Sequence, residues 1–460
     1  MVVRKIETKE GQGQESEEDR KGSLSHENEG LGRIILDALR GRGGSLNEGP
    51  LNRAILYLAV PMVLEMVMES VFAVVDIFFV SRLGPEAMAT VGLTESLLAI
   101  IYTLAMGLSI GVTATVVLGT LGAWHAASLL RLMGADGAVV EEGVWYTRIL
   151  LGGNGVILLL FLLNAAFRGA GDAAVAMRVL WFGNALNILL DPLLIFGVGP
   201  FPELGIRGAA IATTIGRGSA VCLQLLILFR ISGRLKLTLA HLRPRLGVIA
   251  ALIRLSGTGT FQVFVSTASW IGLVRIIAGF GSEALAGYTV AIRIVLFALL
   301  PAWGLANAAA TLVGQGLGAG KPERAERAVW IAGKMNFLFL GSVGIFFMLF
   351  APGIVGLFSA EGATGVHAIH GLRIISAGFF FYGYGMVLTQ AFNGAGDAWT
   401  PTWLNLFCFW LWEIPLAWLL AYRVGWGADG VFVAITIAFS TIAVASGVLF
   451  KRGKWKKSEV

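Results

Sequence analysis

The chain has almost no cysteine and little charge. Among 460 residues only Cys222 and Cys408 carry a thiol, each deep in an apolar segment, which excludes a disulfide framework and a cysteine-based metal site. Five histidines are scattered along the chain; His367 and His370 have a possible ligand spacing but no further partner, so a solvated pair fits them better than zinc. Charged residues make up 14% of the chain and hydrophobic residues 56%. That balance excludes a soluble globular domain and defines an all-α polytopic membrane protein. No nucleophile, metal or cofactor motif occurs, which argues against an enzyme and leaves no cofactor to expect.

What charge there is lies in loops. Lys and Arg gather at Arg230, Arg234, Lys236, Arg243, Arg245 and Arg254 with no acid between them, again from Lys321 to Arg327, and in a tail at 451–460. By the positive-inside rule these are cytoplasmic, as are both termini, in the inner cell membrane; nucleic-acid binding explains the formal charge of +6 less well. Residues 1–50 contain no long apolar run and are expected to be a disordered cytoplasmic tail. Within them Ile34, Ile35, Leu36 and Leu39 beside Arg33, Arg40 and Arg42 fit a short amphipathic helix on the membrane surface. An amino-terminal membrane lobe at 51–231, a basic linker at 232–247 and a carboxy-terminal lobe at 248–450 complete the expected organisation, which needs no second copy.

The two lobes are copies of each other. Gly84-Pro85-Glu86-Ala87-Met88-Ala89 returns as Gly281-Ser282-Glu283-Ala284-Leu285-Ala286, displaced by 197 residues. Further on, Ala166-Phe167-Arg168-Gly169-Ala170-Gly171-Asp172-Ala173 returns as Ala391-Phe392-Asn393-Gly394-Ala395-Gly396-Asp397-Ala398, displaced by 225. The first copy therefore lacks 28 residues, and the register changes between Val116 and Val117 opposite residues 314–341. Duplicated apolar halves mark a two-lobed secondary transporter.

Twelve spans follow, six per lobe, at about 54–80, 94–113, 116–133, 144–166, 174–196, 206–230, 249–279, 285–313, 327–351, 366–391, 400–422 and 430–450. An even number per copy gives both lobes one orientation. The second and third spans are the difficulty, because residues 96–130 hold no Lys, Arg, Asp or Glu. A single helix of that run would reach about 52 Å against a hydrocarbon core of about 30 Å. A shortened hairpin turning near Thr113-Ala114-Thr115, or a kink within 111–122, is expected; one long bent helix or a re-entrant segment is the alternative.

Acids inside spans are costly and mark function. Glu65, Glu69 and Asp76 lie within about 40° of one another around the first span, facing a shared cavity. Asn184, Asn187 and Asp191 share one face of the fifth span just before Pro192. A carboxylate with amide oxygens can hold a proton or a small hard cation, although Asn184 equally fits a hydrogen bond to a neighbouring helix. Glu413, beside Trp412 and two residues before Pro415, is a candidate substrate contact whose aromatic neighbours suit a flat cation or simple packing.

These residues resemble the multidrug and toxic compound extrusion (MATE) family. Pro61 with Asp76, Phe79-Val80-Ser81-Arg82-Leu83-Gly84-Pro85-Glu86-Ala87, Leu312-Val313-Gly314-Gln315-Gly316-Leu317-Gly318-Ala319-Gly320, Phe167-Arg168-Gly169-Ala170-Gly171-Asp172, and Asn187 with Asp191-Pro192 carry the resemblance over about 50–450. It implies two six-helix lobes forming a V, alternating access, and export of bulky, amphipathic, often cationic compounds in exchange for H⁺ or Na⁺. It also implies a cation-coupling set of Asp76, Asn187 and Asp191, with Thr213, Asn184 and Glu69 beside it. Gln262 and Ser266 stand where the first lobe has Glu65 and Glu69, and Tyr382 and Tyr384 occupy the tenth span without an acid. That favours a DinF-like over a NorM-like arrangement, with coupling in the first lobe only and Gln262 as a further substrate contact. A flippase for a lipid-linked saccharide belongs to the same superfamily and would need more basic residues within spans to hold pyrophosphate. A third reading is a folded protein that the first-lobe loss has made transport-defective.

Overall fold

The computed structural model describes residues 31–42, 46–107, 111–230, 246–358 and 362–457. Helices account for nearly all of them, and no strand occurs among the described residues. A surface helix α1 (Leu31–Arg40) precedes the first lobe, α2 (Leu51–Val80), α3 (Pro85–Gly107), α4 (Gly111–Trp124), α5 (Ala126–Leu132), α6 (Gly137–Gly169), α7 (Ala173–Ile195) and α8 (Ile206–Arg230). The second lobe is α9 (Leu246–Ala278), α10 (Ser282–Gly318), α11 (Pro322–Gly356), α12 (Gly362–Ala377), α13 (Phe379–Gly394), α14 (Trp399–Arg423) and α15 (Ala428–Lys451). Eight of these are long and apolar enough to cross a membrane, and α12 with α13, bent by 58°, makes nine. The three expected spans left over are α2, whose 30 residues include Glu65, Glu69 and Asp76, then α3, and the α4–α5 pair.

The repeat is visible in the turns. Gly84 and Gly281, which are repeat mates, have φ of 117° and 101°, and Gly171 and Gly396 have φ of 81° and 76°. Only glycine adopts such angles without a Cβ penalty, so the same residue ends the same helices in both lobes. Large apolar side chains such as Ile271, Leu349 and Leu411 are exposed around the bundle, as a lipid-facing surface requires.

The copies differ where their registers part. Helices α10 and α11 are 37 and 35 residues long, whereas α3 has 23 and α4 with α5 has 14 and 7. Two expectations need correction there. Thr113-Ala114-Thr115 is no turn but lies inside α4; residues 108–110, between α3 and α4, lie outside the described residues. Nor does the helix kink within 111–122: α4 runs on to Trp124 and breaks at His125, with φ −98° and ψ 18°.

The lobes join at the end that carries the basic loops. Gly304 of α10 sits so close to α2 that a Cβ there would meet the Met62 carbonyl oxygen at 2.7 Å and Val63 Cα at 2.8 Å. In lipid such backbone approach is what drives helix association, since lipid tails are as apolar as side chains. One buried cluster crosses the junction, from Ile55, Leu58 and Met62 to Ala308, Val313 and Val329. The Gln315 amide donates to the Gly169 carbonyl (3.0 Å).

The segment before α2 is ordered where it is described, contrary to a disordered tail reaching residue 50. Arg324 donates to the carbonyls of Leu46 (3.1 Å), Glu48 (3.0 Å) and Gly49 (2.9 Å), and Lys321 to that of Asn47 (3.2 Å). A turn with no helical partners for its carbonyls accepts two basic side chains of the other lobe, and Ala38 and Leu46 are buried with it. The basic tail is also packed. Trp455 is buried, donates its indole N–H to the Phe450 carbonyl (2.9 Å) and stacks on Phe450. Lys456 Nζ lies 2.6 Å from Glu326, whose hydrogen bond holds the ammonium above its usual range. The linker expected at 232–247 lies outside the described residues up to 245.

Candidate functional site

Four helices of the first lobe bring its polar side chains together. Helix α2 supplies three acids, and two of them are neutralised. Arg168, at the end of α6, donates to Glu65 at 2.6 Å, and Arg217 of α8 approaches Glu69 at 3.4 Å while lying over the Phe72 ring. Neither arginine was legible as a partner in the sequence. One signal was available: where the second lobe replaces Glu65 by Gln262, it also replaces Arg168 by Asn393. Glu69, an expected member of the coupling set, is therefore placed in an ion pair.

Asp191 is different. It is 0% exposed on α7, and neither carboxylate oxygen has a hydrogen-bond partner among the described residues. One turn back, the Asn187 amide donates to Thr213 Oγ1 of α8 at 3.1 Å, which leaves Asn187 Oδ1 buried and without a partner among the described residues. The contact depends on the close approach of α7 and α8, where a Cβ on Gly183 or Gly216 would meet the other's carbonyl at 2.9 or 2.6 Å. Three acceptor oxygens thus share one face, and the Asn187 amide donor is already committed to Thr213. Buried polar atoms are nearly always bonded, so acceptors left free in this way suit a proton or a small cation. Asn184 is buried on the same face, with its Nδ2 unbonded among the described residues.

Asp76 of α2 is half-buried and close enough for its charge to reach Asp191, Tyr146 and Glu95. Glu95, on α3, is a residue the sequence reading missed. It lies at the edge of the expected span 94–113, but α3 begins at Pro85 and carries Glu95 about 15 Å along the helix. It is exposed, and the charge near it is that of Arg293 from α10 of the opposite lobe.

The three expected substrate contacts are not drawn into one site. Glu413 is 2% exposed inside the second lobe, Trp412 beside it is 41% exposed, and Gln262 is half-buried on α9. No hydrogen bond joins them among the described residues. His370 Nδ1 lies 3.0 Å from Asp429, and no group of three metal-ligating side chains occurs among the described residues.

A duplicated bundle of membrane helices, closed between its lobes at one end and holding buried acids without partners among the described residues, is the architecture of a multi-pass membrane transporter. A family model described as MatE matches residues 61–117, 114–193 and 260–419, and the chain belongs to that family. The "Probable multidrug resistance protein NorM" of Thermotoga maritima is 24% identical over 439 residues, covering 89% of this chain and 94% of that protein. "Probable multidrug resistance protein YoeA" of Bacillus subtilis is 25% identical over 442 residues, with 89% and 95% covered. A protein of Shewanella oneidensis named "FAD transporter" is 24% identical over 448 residues, with 90% and 97% covered. Among solved structures, a MATE in complex with MaL6 superimposes with a TM-score of 0.81 at 27% identity, covering 89% of this chain and 97% of that one. An outward-facing multidrug resistance MATE family transporter gives 0.78 at 28%, with 89% and 97% covered.

Proposed function

We propose that this protein is a secondary active exporter of small amphipathic, cationic compounds, driven by antiport of H⁺ or Na⁺ bound in the first lobe. The observation that carries the reading is Asp191, buried with both oxygens free of partners beside Asn187 Oδ1 and within reach of the Asp76 charge. Cation entry satisfies those oxygens; substrate entry and cation release then alternate as the lobes close at one end and open at the other. With the basic loops on the cytoplasmic side, together with both termini, the junction at Gly304, Gln315 and Arg324 closes the cytoplasmic end, so the structure corresponds to an outward-facing state. The absence of an acid at Gln262 and Tyr382, with the acids of this site in the first lobe, supports a DinF-like arrangement.

The same reading includes a first lobe that lacks 28 residues. The family match stops and restarts at 114–117, where the two registers part. In the second lobe Gly394 is pressed against Ala310 of α10; its mate Gly169 has nothing within 4 Å of a Cβ position among the described residues. The repeat mate of Ala310 is Thr113, which the first lobe retains, so the corner packs differently even outside the missing block. We expect weak transport as a result.

Arg293, exposed on α10 between the lobes, favours a second reading in which the cargo is a large anion, as the name of the Shewanella oneidensis relative implies for that protein. Proteoliposomes loaded with ethidium in one batch and FAD in another separate the two. Export of ethidium under an imposed H⁺ or Na⁺ gradient, lost in Asp191→Asn, supports the proposal; export of FAD alone overturns its cationic substrate.

A further inference from the structure

The second lobe contains a buried acid of its own, outside the first-lobe coupling set. Glu413 of α14 is 2% exposed, and its Oε1 has no hydrogen-bond partner among the described residues. Two tyrosines from other helices are near enough to feel its charge, Tyr288 of α10 and Tyr382 of α13. They are 4% and 3% exposed, and both hydroxyls are likewise buried without a partner among the described residues. The Thr436 hydroxyl of α15 lies near Tyr382 and gives its proton to the Ile374 and Phe432 carbonyls at 3.0 and 3.1 Å. On α14 itself the nearest titratable neighbour is Cys408. Helix α9 packs against α14 and brings Arg275, which is exposed and does not pair with Glu413 among the described residues. Among the described residues no cation balances the acid.

The backbone adds an independent sign. Helix α14 leaves α-geometry for a π-helical stretch, Leu406–Glu413, that ends on the acid itself. Such stretches are rare and frequent at functional sites, although the same helix has a second one at Leu419–Arg423. Pro415 follows two residues later and has no N–H to donate to the preceding turn. Around the cluster Phe409, Phe432 and Phe439 exclude water, with ring pairs Tyr382–Phe439 at 4.8 Å and Phe409–Phe439 at 5.0 Å.

We propose that Glu413, with the hydroxyls of Tyr288 and Tyr382, forms a proton-binding site in the second lobe. The donor set chooses between a proton and a metal cation. One carboxylate and two hydroxyls fall short of the six or more oxygens a hard cation takes. A proton needs no more than the carboxyl group and one acceptor. Protonated, Glu413 becomes a donor as well as an acceptor, and a tyrosine hydroxyl can then both give and receive a hydrogen bond with it, which removes three orphaned atoms at once.

Infrared difference spectroscopy on the purified full-length protein in lipid tests this without any transport measurement, so it stands or falls apart from the first-lobe reading. At neutral pH the wild type should show a protonated carboxyl C=O stretch that shifts in D2O, is absent in Glu413→Gln, and survives in Asp191→Asn. Tyr288→Phe with Tyr382→Phe, which leaves the acid in place, should move the frequency of that band. Identical carboxyl regions in wild type and Glu413→Gln overturn the proposal. So does a band removed by added NaCl at constant pH, since sodium would then be the ligand. A band unmoved in the double tyrosine variant removes the tyrosines from the site.

Discussion

Replacing Arg168 by Gln should destabilise the first lobe, and a second substitution should rescue it. Arg168 and Glu65 lie 2.6 Å apart with side chains 18% and 2% exposed. Removing one partner of a buried pair costs about 3–5 kcal/mol, mostly because the remaining charge is left without compensation. Since Arg168 keeps some contact with its surroundings, the lower end, about 3 kcal/mol, is expected. For a lobe of this size that corresponds to roughly 6–12 °C in melting temperature. The second lobe already shows the neutral solution, Gln262 with Asn393 at the same repeat positions. Glu65→Gln with Arg168→Asn should therefore recover most of the loss. Fluorescence-detected size-exclusion melting in detergent reads all three proteins. An Arg168→Gln variant that melts with wild type, or a double variant no better than the single, would refute the reasoning.

Other outcomes follow from the same geometry. Arg324→Ala removes three charge-assisted bonds to the turn at 46–49, each worth about 1.5–3 kcal/mol; protease cleavage near residue 46 should rise several-fold in inside-out vesicles, and unchanged cleavage would mean that the turn is held elsewhere. Gly304→Ala forces a Cβ into the Met62 carbonyl at 2.7 Å, an overpacking of about 1–3 kcal/mol. It should open the cytoplasmic end, so a cysteine at Asn307 should react faster with a membrane-impermeant thiol reagent from that side. Inserting residues equivalent to 314–341 between Val116 and Val117 should raise both melting temperature and transport, and no change in either would make the shortened corner a tolerated feature.

The spans were legible because hydrophobic runs and turn glycines declare themselves locally: all twelve expected segments find helices, and Gly84 and Gly281 turn as their repeat predicts. Boundaries were harder. Glu95 was lost because the second span was read from its uncharged stretch, while the helix starts at Pro85. The turn between the second and third spans was put at Thr113-Ala114-Thr115, which lie inside α4. Side-chain partners were the least legible. Asp191 with Asn187 shares one helix and follows from spacing alone, whereas Glu65 with Arg168 and Glu413 with Tyr288 join residues more than a hundred positions apart. Sequence periodicity fixes which face a residue is on, not which helix meets that face.

The central claim is that Asp191 binds the cation whose exchange drives export. In proteoliposomes of defined internal composition, substrate loading on one side should drive efflux of H⁺ or Na⁺ against no imposed gradient, read with an interior indicator dye. Asp191→Asn, inserted at the same density, should bind substrate but move no cation. Cation counterflow in the Asp191→Asn protein at the wild-type rate would contradict the account.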